Sequence, residues 1–239
     1  MNAAAPDARL TAITAALERH GADPGAAEPI ERLLEALAAE PDPHTTVPLD
    51  QAVDVHVADS LAGLAVPQLR GAAAIADIGA GAGFPGLVLA AVLAHARVDL
   101  VESASRKTAV IERLAAAAGL ANARAVTARA EEWAAGEGRE AYDAVTARAV
   151  APLAVLVEYA APLLRAGGVL VAWKGARDPR EESVGATASA HVGLRPADVL
   201  PAQPYPLSRN RHLHVFEKVG PTPARFPRRP GMAAKRPLG

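Results

Sequence analysis

Cysteine is absent from the 239-residue chain, which excludes disulfides, a thiolate nucleophile and cysteine-ligated zinc. Aromatic residues make up only 3%, so helices must pack through small aliphatic side chains, alanine above all. Long apolar runs are missing as well, since none reaches the ~18 uncharged residues a membrane-spanning helix needs. The opening residues Met1 to Arg9 have too little positive charge and no apolar stretch of signal type, and a cytoplasmic protein without a membrane partner is expected. The seven histidines form no ligand cluster. His56-x-x-Asp59 and His212-x-His214 come nearest to one, and no metal is expected. Net charge is -1, too small to attract a polyanion overall. The distribution is more telling: no acid follows Glu217, while Lys218, Arg225, Arg228, Arg229, Lys235 and Arg236 crowd the end of the chain. Such a strip can hold phosphates, and a solubilising proline- and glycine-rich tail is the alternative. The apolar share of 51% excludes a mainly disordered chain and suffices for a core.

What is present centres on Asp77-Ile-Gly79-Ala-Gly81-Ala-Gly83-Phe-Pro85-Gly86, between the apolar run Ala72 to Ala76 and the run Leu87 to Leu93. That order predicts strand, tight glycine turn and helix, with free N–H groups at the helix start and Pro85 suited to it. This is a nucleotide or nucleoside cradle at the first βα turn of an α/β sheet. Gly81-x-Gly83-x-x-Gly86 matches the dinucleotide pattern. Asp77-x-Gly79-x-Gly81-x-Gly83 fits instead a phosphate-free ligand such as S-adenosylmethionine, whose sulfonium and ammonium tolerate a nearby carboxylate. Glu102, closing the next strand Arg97 to Glu102, is placed for ribose hydroxyls in either case.

Along the chain, Leu10, Ile13, Ala16 and Leu17, then Ile30, Leu33, Leu34 and Leu37, predict two amphipathic helices capping the sheet. A helix is expected over Val53 to Leu64, carrying His56, Asp59 and Ser60 on neighbouring turns; a hydrolase triad is disfavoured there because no strained nucleophile turn accompanies it. Strands are expected at 72–78, 97–102, 123–126, from Tyr142 toward Val150, and from Val169 to Gly175 after Gly167-Gly168. Helices should fill 86–93, 105–119, a stretch from Arg129, 153–164 and 178–190. Leu213 to Phe216 and a partner in Leu194 to Leu200 predict an antiparallel edge hairpin. The alternation over 72–174 implies a doubly wound, mostly parallel core. Three segments follow: a helical cap over 1–66, a core over 67–218 and a basic tail over 219–239. Thr146, Arg148 and Lys174 fall at the carboxyl edge of strands, the functional edge of open α/β sheets. Glu131, after the third strand, could face the adenine end of a cofactor or simply be solvated at a helix start.

Several pieces together resemble the bacterial small-subunit ribosomal RNA guanine-N7 methyltransferases, once called glucose-inhibited division proteins B. They are His56-Val-Ala-Asp59-Ser60-Leu61, the Asp77 to Gly86 turn with its Gly-Phe-Pro-Gly ending, Val101-Glu102-Ser103 with Arg106-Lys107, Asn122-Ala-Arg124, Arg129-Ala-Glu131, Thr146-Ala-Arg148-Ala-Val150, Trp173-Lys174-Gly175, and Phe226-Pro-Arg228-Arg229-Pro-Gly231 with Lys235-Arg-Pro-Leu238. The resemblance implies a Rossmann-like class I methyltransferase fold, S-adenosylmethionine as donor, and a guanine of 16S ribosomal RNA or the small subunit as acceptor. It implies cofactor roles for Gly79, Gly81, Phe84, Glu102, Ala130 and Glu131, with Arg148 at the join to the acceptor. It implies target-base or RNA contacts for His56, Asp59, Ser60, Lys107, Arg124, Arg148, Lys174 and the tail cations Arg225, Arg228, Arg229, Lys235 and Arg236. Arg148 is expected to orient the base, with His56 and Lys174 assisting. The chain departs from the family before His56, where tryptophan-asparagine and asparagine-leucine-threonine pieces are missing or reduced to Thr45-Thr46, and Glu102 stands where many relatives have aspartate. A monomer is expected. A nicotinamide-dependent oxidoreductase and a non-catalytic RNA-binding protein are the rival readings, separable by cofactor titration.

Overall fold

The computed structural model describes residues 6–239, so the reading of the first five as non-signal lies outside it. Among the described residues, β1 (Ala74–Ile78), β2 (Arg97–Glu102), β3 (Ala123–Thr127), β4 (Tyr142–Arg148), β5 (Leu164–Lys174), β6 (Leu194–Ala202) and β7 (Arg211–Lys218) form one sheet. Its order is β3-β2-β1-β4-β5-β7-β6. The first five strands are parallel, and β7 runs antiparallel to both neighbours. The order reverses between β1 and β4, and in such sheets ligands sit outside the carboxyl ends of the strands at that switch.

Side chains alternate between the two faces with the period of a strand. Ile75, Ala144 and Val171 join the core that holds α1 (Pro6–Arg19), α2 (Ala27–Ala39), α5 (Gly86–Val92) and α6 (Ser105–Ala118). Ala76, Val145 and Leu170 join the opposite core, under α8 (Leu153–Ala160) and α9 (Pro179–His191). The short helix α7 (Ala130–Ala135) lies on that second face. Leu64, Val66 and Leu69 are buried in the first core, so the N-terminal helices share a core with the sheet across residue 66.

Two local expectations need correction. The helix over 53–64 is not uniform: Val53–Ala58 is a π-helix, which passes into α3 (Asp59–Leu61), a 3-10 turn at Ala62–Ala65 and α4 (Pro67–Arg70). The wide turn leaves the Val55 carbonyl open to the Arg148 guanidinium, which donates to it at 2.9 Å. Gly167-Gly168 does not precede β5 but bulges within it, because pairing with β4 jumps from Tyr142↔Leu164 to Ala144↔Val169.

The basic tail is a packed strap. Phe226 is buried in the second core, α10 (Met232–Lys235) packs by α8, and Gly231 N–H donates to Glu131 Oε1 at 2.8 Å. Arg228 does not face solvent for RNA: its Nε donates to Glu158 Oε1 at 2.6 Å, and Glu158 is 1% exposed. Removing one member of a buried pair strands the other's charge. Arg228→Ala should therefore lose about 3 kcal/mol of stability in urea denaturation, and adding Glu158→Gln should restore part of it.

Candidate active site

Asp77 ends β1 fully buried. Its Oδ2 accepts from Gly86 N–H at 2.9 Å and its Oδ1 from the Thr146 hydroxyl at 2.8 Å, so it clasps the start of α5 and strand β4 across the switch point. Burial pushes its carboxyl up to about 6 against the pull of these two bonds and of Arg148. Between the ends of this clasp the chain makes its glycine turn. Gly79 has φ +65, and a Cβ there would meet Val150 at 2.7 Å, so only glycine lets the turn close beneath Val150. Gly81 has φ +59, and a Cβ there would touch only Gly79 O, at 3.8 Å.

The N–H groups of the turn's glycines are already taken. Gly79 donates to Val101 O at 2.8 Å, Gly83 to Ala80 O at 2.7 Å, and Gly81 to Glu102 Oε2 at 3.1 Å. Glu102 also receives Ala104 N–H at 3.0 Å, and Lys107 Nζ stands 4.0 Å away. A pyrophosphate needs free donors at this point. A turn whose donors end on carbonyls and carboxylates instead suits a ligand bearing hydroxyls and positive charge.

Three concavities meet around this turn. A cleft of about 430 Å³ runs over Gly79 to Ala82, Phe84, Glu102 and Lys107, walled by Thr45, Thr46, His56 and Arg148. A side groove of about 190 Å³ continues past Glu102 to Ala130, Glu131 and Tyr159. On the other side a larger cleft of about 640 Å³ is lined by Arg148 to Pro152, Trp173 to Gly175, Glu181 and Arg211. Arg148 and Asp59 border both large clefts.

At that border Arg148 donates from NH1 to Asp59 Oδ2 at 2.9 Å, and Trp173 Nε1 donates to Asp59 O at 2.7 Å. Ala149, next in the chain, is held at φ +58, an uncommon conformation for a residue with a Cβ and one that clusters at functional sites. His56 stacks on Phe84 with ring centroids 4.2 Å apart, and its Nδ1 lies 3.4 Å from Arg148 NH2. Nδ1 must accept there, so Nε2 carries the proton toward Thr45 Oγ1, 3.0 Å away. Burial, helped by the Arg148 charge, lowers the imidazole to about 4, and it is neutral at ordinary pH.

The comparisons with known proteins agree with this geometry. The family model described as rRNA small subunit methyltransferase G matches residues 46–201. Ribosomal RNA small subunit methyltransferase G of Rubrobacter xylanophilus is 42% identical over 77% of this chain and 72% of its own length. The Deinococcus radiodurans protein of the same name is 40% identical over 88% of this chain and 85% of its own. The chain belongs to this family. In fold it matches an S-adenosylmethionine-dependent O-methyltransferase from Thermotoga maritima, with TM-score 0.53 and 15% identity over 79% of this chain and 71% of that one. Its own fold is likewise the class I, Rossmann-like one.

In this chain the residues singled out from sequence divide sharply. Gly79, Gly81, Phe84, Glu102, His56, Asp59, Lys107, Arg148 and Lys174 border the two large clefts, and Ala130 and Glu131 line the side groove. Ser60 is fully buried and its hydroxyl donates to His56 O, so it offers nothing to RNA. Arg124 is also removed from the site. It lies on β3, fixed to fully buried Asp99 at 2.9 and 3.1 Å and stacked 5.2 Å from the Trp133 ring centre. Arg225, which lies over the Phe226 ring, is exposed, as are Arg229, Lys235 and Arg236. Among the described residues no group of three or more metal-binding side chains occurs, and no helix is long and apolar enough to cross a membrane.

Sequence reasoning passed over Glu181 and Arg211. Arg211 lies at the start of β7, 40% exposed, with Nε 3.9 Å from Asp59 Oδ1. Its distance in sequence from every glycine motif hid it, and only its position on the antiparallel edge brings it to both clefts.

The two shifted groups impose opposite pH slopes. Asp77, raised from 3.8 to about 6, contributes stability that is lost as pH rises through that window. His56, lowered from 6.5 to about 4, contributes stability that is lost as pH falls through its own. In urea denaturation from pH 4 to 7, Asp77→Asn should therefore make stability rise more steeply with pH than in the wild type, and His56→Phe less steeply.

Proposed function

We propose that the chain transfers a methyl group from S-adenosylmethionine to N7 of one guanine in the 16S RNA of the small ribosomal subunit. The observation that carries the cofactor is the glycine turn with its donors already bound to Glu102 and to backbone carbonyls. Glu102 would accept from the ribose hydroxyls, the groove at Ala130 and Glu131 would take the adenine, and the cleft over Gly79 and Gly81 the methionine part. A nicotinamide dinucleotide finds none of the glycine N–H groups free for its phosphates there. A cytoplasmic location and action as a single chain go with this reading.

Bound there, S-adenosylmethionine supplies an electrophilic methyl, which bonds to N7 as its bond to sulfur breaks and leaves a neutral thioether. Guanine N7 carries a free lone pair, so no base has to remove a proton first, and a neutral His56 is compatible with that. Alignment is the main demand. The acceptor base enters the larger cleft, and Arg148 holds guanine O6 so that N7 faces the cofactor cleft. None of the three bonds Arg148 makes inside the protein uses its Nε. The carboxylate of Asp59, which borders the larger cleft, stands near a base that grows more positive as the methyl arrives. Arg211, Lys107 and the exposed tail cations Arg229, Lys235 and Arg236 provide charge for RNA phosphates.

Labelled methyl transfer to small subunits and to protein-free 16S RNA, mapped by cleavage at N7-methylguanine, should place label at one loop guanine. No label on either substrate from a protein that binds S-adenosylmethionine would overturn the assigned acceptor. Arg148→Lys keeps a positive charge beside Asp59 but loses the planar fork. It should leave the fold intact and lower kcat/KM for RNA by roughly 100-fold, the scale expected when an orienting group is misplaced.

A further inference from the structure

The larger cleft contains an ion pair that the reading above leaves without a specific task. Lys174, at the end of β5, has its Nζ 2.7 Å from Oε1 of Glu181, in the first turn of α9. Leu153 N–H donates to the same oxygen at 2.9 Å, which fixes the carboxylate and leaves Oε2 for another donor. The side chains are 22% and 26% exposed, and both line the cleft that Arg148 closes on its inner side.

We infer that this pair reads the Watson–Crick edge of the acceptor base, with Lys174 donating to guanine O6 and Glu181 accepting from N1–H and the N2 amino group. The inference rests on the guanine-N7 reading and sharpens it. N7 alone does not select guanine, because adenine presents an N7 acceptor too. What separates the two purines is the neighbouring pattern. Guanine has an acceptor at position 6 beside a donor at N1, and adenine has the reverse. A fixed ammonium next to a fixed carboxylate is a donor beside an acceptor, the complement of guanine. Against adenine it would set cation against amino group and carboxylate against lone pair, leaving polar groups unpaired.

The arrangement also agrees with the approach of N7. The Watson–Crick edge lies across the ring from N7. A base whose N7 faces Arg148 and the cofactor cleft therefore turns that edge toward the α9 side of the larger cleft, which Lys174 and Glu181 line. Arg148 then meets O6 from the N7 side and Lys174 meets it from the N1 side, one on each lone pair. A pair that only tied β5 to α9 would be indifferent to the identity of the base.

The test uses small subunits reconstituted with 16S RNA that carries guanosine, inosine or 2,6-diaminopurine at the methylated position. 2,6-Diaminopurine keeps N7 and the N2 amino group but inverts the pattern at position 6 and N1. Wild-type enzyme should prefer guanosine over 2,6-diaminopurine by roughly 100-fold or more in kcat/KM, and over inosine by about 10-fold. Glu181→Gln and Lys174→Met should each narrow the first ratio by about 10-fold while affinity for S-adenosylmethionine stays unchanged. Equal rates of the wild type on guanosine and 2,6-diaminopurine would overturn the inference without any variant. So would variants that slow both substrates in the same proportion, since that is the signature of a structural tie. Absence of wild-type methylation of guanosine would instead remove the underlying reading, and the inference with it.

Discussion

The carboxylate of Asp59, buried beneath the Arg148 guanidinium, holds the functional half of the molecule together. An isolated buried carboxylate is unfavourable, so the chain around it is arranged to supply donors. Arg148 arrives from the end of β4 at 2.9 Å, Arg211 stands 3.9 Å away at the start of β7, and the backbone carbonyl of Asp59 takes the Trp173 indole from β5. One residue of an N-terminal helical segment thereby ties down three neighbouring strand ends. The wall between the cofactor cleft and the acceptor cleft is this cluster, which is why its geometry sets both.

A second constraint operates on the other side of the switch point. Asp77 and Glu102 take the Gly86 and Gly81 donors, backbone carbonyls take those of Gly79 and Gly83, and a phosphate cradle becomes a site for a cation with hydroxyls. The same glycine spacing can serve either ligand, and the difference lies in where the N–H groups end. The C-terminal strap adds to the outer wall, because Gly231 holds Glu131 in place and Arg228 holds Glu158 beneath it. Part of the tail's positive charge is thus committed to the fold, and Arg225, Arg229, Lys235 and Arg236 remain outward for phosphates.

The parallel core and the edge hairpin were legible because they rest on local signals. Apolar runs broken by glycines, and helical periodicity between them, recur from Ala74 to Lys174. The site glycines and Glu102 were legible for the same reason, as a turn must carry its own chemistry. Ser60 and Arg124 were misread because motif proximity says nothing about facing. Ser60 turns inward to its own helix, and Arg124 sits mid-strand over Asp99, away from the carboxyl edge.

By itself the sequence determined the fold class, the family and the glycine cradle, since each depends on residues near one another in the chain. Only the tertiary structure decided which charges remain free. Whether Arg148, Lys174, Arg228 or Arg211 can meet a ligand depends on partners 89, 7, 70 and 152 residues away. Ion pairs form wherever the fold brings opposite charges within a few ångströms, whatever their separation along the chain, so no reading along the chain reveals them.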